Sequence, residues 1–310
     1  MRAIVITRHG GPEVLELQDV PEPEGDGLLV DVEAVGVNYR DVYEREARGA
    51  YKSEPPLIAG VEGAGTVAET GERVAWVAAP GSYAERVSVP AAAAVPVPDG
   101  VSTEVAAAVL LQGMTAHYLC TATYPVQPGD DVLVHAAAGG VGLLLTQMVK
   151  LRGGRVIATT STEEKAELAR GAGADETIGY DGFSERVREL TGGRGVAVAY
   201  DAVGRTTFDG SLAALRPRGV LALYGAASGP VPPLELERLG ADSLYVTRPR
   251  LPSYTATREE LEARAGEVLG WVAQGKLDVR IGGRYPLADA RQAHEDLEAR
   301  RTTGKLLLLP

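Results

Sequence analysis

The stretch DDVLVHAAAGGVGLLLTQMVKLRG constrains this chain more than any other. DDVLVHAA is a β-branched apolar run bounded by polar residues, which predicts a buried strand. GGVGLLLTQMVKLRG predicts a helix. Between them lies Ala136-Ala137-Ala138-Gly139-Gly140-Val141-Gly142. Glycines in such a turn let the backbone approach a diphosphate, and the following helix aims its free N–H groups and positive dipole end at the charge. The spacing is A-x-x-G-x-x-G, not the standard G-x-G-x-x-G, and small residues in strand–helix turns also serve packing alone. The surroundings favour a dinucleotide. RVIATTS reads as the next strand and TEEKAELARGAG as a helix. A short ETIGY strand, a helix around 183–191, strand VAVAYDAVG, a helix over 206–215 and strand GVLALYGA follow. Repeated strand–helix units with hydrophobic strands predict an α/β, doubly wound parallel sheet.

The same stretch separates NAD from NADP. An acidic residue about 20 residues after the glycine turn would bind the ribose hydroxyls and repel a 2′-phosphate. Here the strand ends at Ser161, followed by Thr162, with Lys165 in the first helical turn. Hydroxyls and a lysine suit a phosphate. Glu163 and Glu164 fall at helix positions expected to face solvent, so NADPH is favoured.

Before Pro128 the pattern differs. Residues 3–7, 28–37, 65–67, 73–77 and 84–89 are short alternating or β-branched runs punctuated by PEPEGDG and EPPLIAG. They predict an antiparallel, partly barrel-like domain. STEVAAAVLLQGMTAHYL reads as a capped, buried helix. The tail carries two amphipathic helices and the closing strand KLLLLP, which returns to complete the first domain. The expected domains are 1–115 with 269–310, and 116–268.

Composition narrows the partners. The net charge is −11 with scattered carboxylates, so nucleic acid, which is bound mainly through clustered Lys and Arg, would be a poor partner. No run approaches 18 consecutive apolar residues, so no membrane span is expected. The opening MRAIVITRHGG lacks a signal peptide's apolar core, which points to the cytoplasm. The single cysteine, Cys120, sits in an apolar helical stretch and reads as packing.

Taken together, HGGPEVL, AVGVNYRDVY, GVEGAG, LLQGMTAHYL, HAAAGGVG, ETIGY, VAYDAVG, LYGAASGPV, SLYVTRPRL and ARRTTGKLLLLP span nearly the whole chain. This set resembles the zinc-independent, ζ-crystallin-like quinone oxidoreductases of the medium-chain dehydrogenase/reductase superfamily. The resemblance implies a GroES-like, partly open β-barrel catalytic domain joined to a Rossmann domain, NADPH as cofactor, and a homodimer. Strand SLYVTRP is the expected pairing edge. It further implies that Asn38, Tyr39, Arg40 and Asp41 line the nicotinamide end, with Tyr118 a cofactor contact and Gly139, Gly140 and Val141 the diphosphate turn. Ser161, Thr162 and Lys165 would meet the adenosine phosphate, flanked by Tyr180. Val203, Gly225, Ala226, Ala227, Ser228, Pro249, Arg250 and Leu251 would supply loops near the nicotinamide, and Arg300 would reach the 2′-phosphate. The chain departs from the family in the short AETGE connection, in His117 at a usually aromatic place, and in a trimmed loop at Gly182 and Phe183.

Zinc-dependent relatives carry a Cys in the segment matching VNYRD and a His in a GHE motif. Here those places hold Asn38 and Gly60-Val61-Glu62-Gly63, and His9, His117, His135 and His294 show no ligand spacing, so no metal is expected. An electron-poor quinone needs no Lewis acid, and proximity and orientation then dominate catalysis. Asn38, Tyr43 and Tyr51 are the candidates for the acceptor pocket. Three functions stay open: reduction of quinones, reduction of enals or enones, and noncatalytic NADPH binding.

Overall fold

The computed structural model describes residues 1–49 and 51–310. Two compact units emerge, residues 1–112 with 255–310 and residues 113–254.

In the first unit the strands are β1 (Arg2–Ile6), β2 (Leu15–Asp19), β3 (Leu28–Val37), β4 (Leu57–Ile58), β5 (Gly63–Val67), β6 (Arg73–Trp76), β7 (Arg86–Val89) and β8 (Ala94–Pro96). Helix α1 (Tyr39–Arg45) follows β3, and α2 (Thr103–Tyr118) begins in this unit and ends in the other. β2-β1-β4 form a small sheet, while the remaining strands join two from the C-terminal part of the chain in a larger one. Along β3, Asp31 and Glu33 alternate with buried Val30, Val32 and Ala34, the period-2 pattern of a strand with one wet face. Its second half is buried on both faces. Trp76, Tyr83, Val35, Leu306 and Leu308 form the centre of the core. The short AETGE connection closes tightly, Gly71 N–H donating to the Val67 carbonyl at 2.8 Å.

The second unit holds β9 (Asp131–Val134), α3 (Gly140–Leu151), β10 (Arg155–Thr159), α4 (Glu163–Gly171), β11 (Glu176–Ile178), α5 (Phe183–Leu190), β12 (Val196–Asp201), α6 (Phe208–Ala213), β13 (Leu215–Leu223), α7 (Glu237–Gly240) and β14 (Tyr245–Thr247). The six strands are all parallel, in the order β11-β10-β9-β12-β13-β14. Strand order reverses between β9 and β12, the switch point where such sheets bind ligands. The helix expected over 206–215 is shorter, because β13 begins at Leu215.

The chain then returns to the first unit with α8 (Arg258–Ala273), β15 (Ile281–Pro286), α9 (Ala290–Glu298) and β16 (Lys305–Leu309). The larger sheet reads β15-β16-β3-β5-β6-β8, with β7 on β3, and β16 pairs antiparallel with β3. The return point differs from the expected residue 269, which would cut α8. Arg258 explains this: its guanidinium donates to the carbonyls of Ala92 and Ala94 at 3.0 and 2.6 Å, tying the start of α8 to the first unit.

One helical stretch, Thr103–Thr123, is long and apolar enough to cross a membrane by length and composition, and 72% of its apolar window is buried within the protein. Cys120 in it is fully buried, its thiol against the His117 carbonyl, which is a packing role.

Candidate functional site

The second unit gathers most of the expected cofactor residues by topology alone. In a parallel sheet every strand ends at the same edge, and here each of the six carboxyl ends leads into such a segment. β9 runs to the glycine turn, β10 to Ser161, Thr162 and Lys165, and β11 to Tyr180. β12 runs to Val203, β13 to Gly225–Ser228 and β14 to Pro249–Leu251.

The glycine turn is shaped by its backbone. Ala136 takes a positive φ of 51°, and Gly139 N–H closes the turn onto the Ala136 carbonyl at 2.9 Å. Gly139 is the N-cap of α3, so the N–H groups of Gly140, Val141 and Gly142 have no acceptor within the helix. A Cβ on Gly142 would lie 2.4 Å from the Ala136 oxygen and 2.7 Å from Ala137 Cα, so only glycine lets the helix start this close to the strand. These observations fit a diphosphate: a cradle without side chains, facing the positive end of a twelve-residue helix.

A buried polar network, not foreseen from sequence, fixes the ends of β9, β10 and β12. His135 is fully buried, with Nδ1 2.8 Å from Thr159 Oγ1 and Nε2 2.9 Å from Ser211 Oγ. Burial pushes its pKa down to about 4, partly opposed by Asp201, so it is neutral at pH 7. Ser211 donates to Asp201 Oδ2 at 2.9 Å, and Asp201 also accepts the N–H groups of Val203 and Gly204 at 2.8 and 3.0 Å. The trio of Ser, His and Asp invites comparison with a hydrolase. The serine proton points at the aspartate and not at the histidine, however, and all three residues have zero exposure. The network positions loops. Sequence carried one signal for it, polar residues closing otherwise apolar strands.

Around it the expected residues take distinct places. The Tyr180 hydroxyl accepts Ala136 N–H at 3.1 Å, and its ring lies parallel to His135. Ser161 is exposed, Lys165 half-buried, and Glu163 and Glu164 exposed. Thr162 caps α4, accepting Lys165 N–H at 3.3 Å. Ser228 Oγ donates to the Val203 carbonyl at 2.7 Å and so links two of the loops. Ala227 N–H donates to the Ala202 carbonyl at 3.2 Å, while Gly225 and Ala226 are half-buried in the same loop. Pro249 is buried, Arg250 exposed, and Leu251 opens a short 3-10 turn. Tyr118 is buried and stacks on Tyr254 at 4.2 Å and 6°.

The first unit holds the remaining candidates at the start of α1. Asn38 Nδ2 donates to the Gly36 carbonyl at 3.1 Å and to Glu62 Oε2 at 2.7 Å, and Oδ1 accepts from Lys305 Nζ at 2.8 Å. Both amide hydrogens are thus engaged. Glu62 and Lys305 are 0% and 1% exposed and bonded directly to each other, and Glu62 Oε1 also accepts Leu111 N–H at 2.6 Å. A Cβ on Gly36 would stand 2.4 Å from Glu62 Oε2, so the glycine admits the ion pair. Tyr39, Tyr43 and Tyr51 form a ladder with ring centroids 6.1 and 5.9 Å apart, and the Arg40 guanidinium lies 5.3 Å from the Tyr51 ring centre. Arg300 hydrogen-bonds the side chain of Tyr39, whose hydroxyl burial pushes upward in pKa. The Lys305–Glu62 pair was legible only as two charges in the apolar runs GVEGAG and KLLLL.

Where zinc enzymes place the Cys and the His of GHE, this chain has Asn38 and Val61, and the Asn38 amide is bonded to the Glu62 carboxylate and the Lys305 ammonium. Among the described residues no group of three or more His, Cys, Asp or Glu could hold a metal ion. His117, His135 and His294 are buried, and His9 is half-buried against the Arg45 carbonyl.

Comparison with known proteins agrees with this geometry. Residues 24–99 match the alcohol dehydrogenase GroES-like domain, and residues 140–265 match the zinc-binding dehydrogenase family, although that segment contains neither Cys nor His here. A quinone oxidoreductase of Pseudomonas aeruginosa is 44% identical over 100% of this chain and 99% of its own length. A mycobacterial protein solved with NADPH is 52% identical, with a TM-score of 0.96 over 100% of both chains. The quinone oxidoreductase of Escherichia coli, also solved with NADPH, is 39% identical with a TM-score of 0.96 and full coverage of both. On its two domains, its glycine turn and this full-length similarity, the chain belongs to the zinc-independent quinone oxidoreductase family of the medium-chain dehydrogenase/reductase superfamily.

Proposed function

We propose that this protein reduces quinones with NADPH and without a metal. The observation that carries the reading is the carboxyl edge of the second unit's sheet: a glycine turn open to a diphosphate, and beside it a serine and a lysine where an NAD-specific site would hold a carboxylate. When bound, NADPH supplies the hydride. The N–H groups of Gly140 and Val141 hold the diphosphate, with Gly139 capping their helix. Ser161 and Lys165 hold the 2′-phosphate, and Tyr180 supports the turn through Ala136. The Asp201–Ser211–His135 network keeps the Val203 loop in place, and Ser228 ties Gly225–Ser228 to it. Tyr43 and Tyr51, their rings tilted by 36° to one another, offer with Arg40 an aromatic surface to a planar acceptor. Asn38 orients the turn that bears them. A quinone takes up a hydride and a proton to give an aromatic hydroquinone, so binding and orientation suffice.

The test is steady-state NADPH oxidation with 1,4-benzoquinone and 9,10-phenanthrenequinone. Turnover with a quinone is expected. No turnover with either, beside rapid reduction of an enal, rejects the proposal.

A homodimer and a cytoplasmic location complete the reading. β14 is an edge strand with Tyr245 exposed, and pairing with a second copy would cover its open backbone groups. Light scattering after size exclusion should give twice the chain mass, and a monomer mass would count against it.

A further inference from the structure

The start of α1 carries a second buried network that the reaction scheme does not use. Asp41 is 2% exposed, and its Oδ2 accepts the Asn38 backbone N–H at 2.9 Å and the Tyr83 hydroxyl at 3.0 Å. Its Oδ1 faces Arg40 at 3.3 Å. Tyr83 Oη lies 3.1 Å from His294 Nε2, and His294 Nδ1 lies 3.0 Å from Arg45 Nη1. Arg45 in turn pairs with Glu298 at 2.8 Å.

Donor and acceptor roles along this chain are forced. Arginine can only donate, so His294 Nδ1 accepts and the neutral ring carries its hydrogen on Nε2. That hydrogen points at Tyr83 Oη, which leaves the Tyr83 hydroxyl hydrogen to go to Asp41. Burial and the neighbouring Arg45 push His294 down to about 3, so the ring stays neutral and the direction fixed. Every donor converges on Asp41, and only a carboxylate can receive them all. A proton on Asp41 costs one of these contacts: on Oδ2 it displaces Tyr83 or the Asn38 N–H that caps α1, and on Oδ1 it turns an O–H toward the Arg40 guanidinium, which can only donate.

We propose that Asp41 is a positioning residue for quinone reduction: as a carboxylate it closes the Asn38–Asp41 turn and holds the tyrosines of α1 in register, and protonation opens that turn. The proposal rests on the quinone-reductase reading above. Burial pushes Asp41 up to about 6, with Arg40, the Asn38 N–H, Lys305 and Tyr83 opposing in that order. The other charged groups around the turn are Glu44 and Arg45 on α1, Glu62 just before β5, and His294 and Glu298 on α9.

The experiment measures kcat against pH with saturating NADPH and 1,4-benzoquinone, repeated with NADH because a phosphate monoester titrates near 6 itself. The wild type should lose kcat as pH falls through about 6 with either cofactor, approaching tenfold per pH unit. Asp41→Asn should give a lowered, flat profile. Tyr83→Phe removes a donor that favours the carboxylate, so its acid limb should move to higher pH. An acid limb unchanged in both variants overturns the proposal, as does an equal loss at every pH in Tyr83→Phe, which also decides the matter should Asp41→Asn not fold. Urea unfolding separates this from the functional reading. A carboxylate raised in the folded state gives stability that is lost as pH rises through about 6, and Tyr83→Phe should move that loss to higher pH. An unmoved loss sinks the Asp41 role, whereas wild-type protein inert to every quinone sinks only the quinone reading.

Discussion

Lys305→Met and Glu62→Gln, singly and together, test what holds the centre of the first unit. The two charges have 1% and 0% exposure and satisfy each other, Asn38 and Leu111 N–H. Removing only the ammonium leaves a carboxylate in the interior with two neutral donors. Breaking a buried pair by removing one partner costs about 3–5 kcal/mol. For a domain of this size that lowers Tm by roughly 6–20 °C, at about 2–4 °C per kcal/mol. Neutralising both partners removes the stranded charge, and such replacements are often near neutral, so the double variant should return to within about 1–2 kcal/mol of wild type. Thermal and urea unfolding of the four proteins closes the double-mutant cycle, with an expected coupling of about 2 kcal/mol or more. A double-variant loss equal to the sum of the two single losses, giving no coupling, would refute the view that charge pairing fixes this site.

Other outcomes follow from the same geometry. Lys165→Glu should weaken NADPH more than tenfold, since a charged hydrogen bond is worth about 1.5–3 kcal/mol, while leaving NADH little changed; equal losses for both cofactors would remove Lys165 from the 2′-phosphate. In Gly142→Ala the new methyl group meets the Ala136 oxygen, so about 1–3 kcal/mol of stability and most NADPH affinity, read by titration calorimetry, should disappear. Dialysis against a chelator should leave quinone turnover unchanged, because Asn38 and Val61 stand at the places of the zinc ligands and the Asn38 amide is already engaged by Glu62 and Lys305; activity lost and then restored by zinc would contradict this.

The parallel sheet, the glycine turn, the hydroxyl residues in place of a carboxylate at the end of β10 and the returning C-terminal strand were legible in the amino-acid order. Each is a local or periodic property: β-branched runs, Gly where backbones must touch, alternation along β3. The buried networks were not. Asp41, Tyr83, Arg45 and His294 are scattered over most of the first unit's length, and a polar residue in sequence does not reveal whether its partner waits across the core. His135 read only as a packed or surface histidine, and folding buried it between Thr159 and Ser211. Asn38 read as a group facing the acceptor, while the fold engages both its amide hydrogens in holding Glu62 and Gly36. Sequence settled which backbone could form, because steric and hydrophobic periodicity act over a few residues. Tertiary structure alone decided which ionisable groups lose water and whom they meet, because desolvation and hydrogen-bond direction depend on neighbours brought from far along the chain.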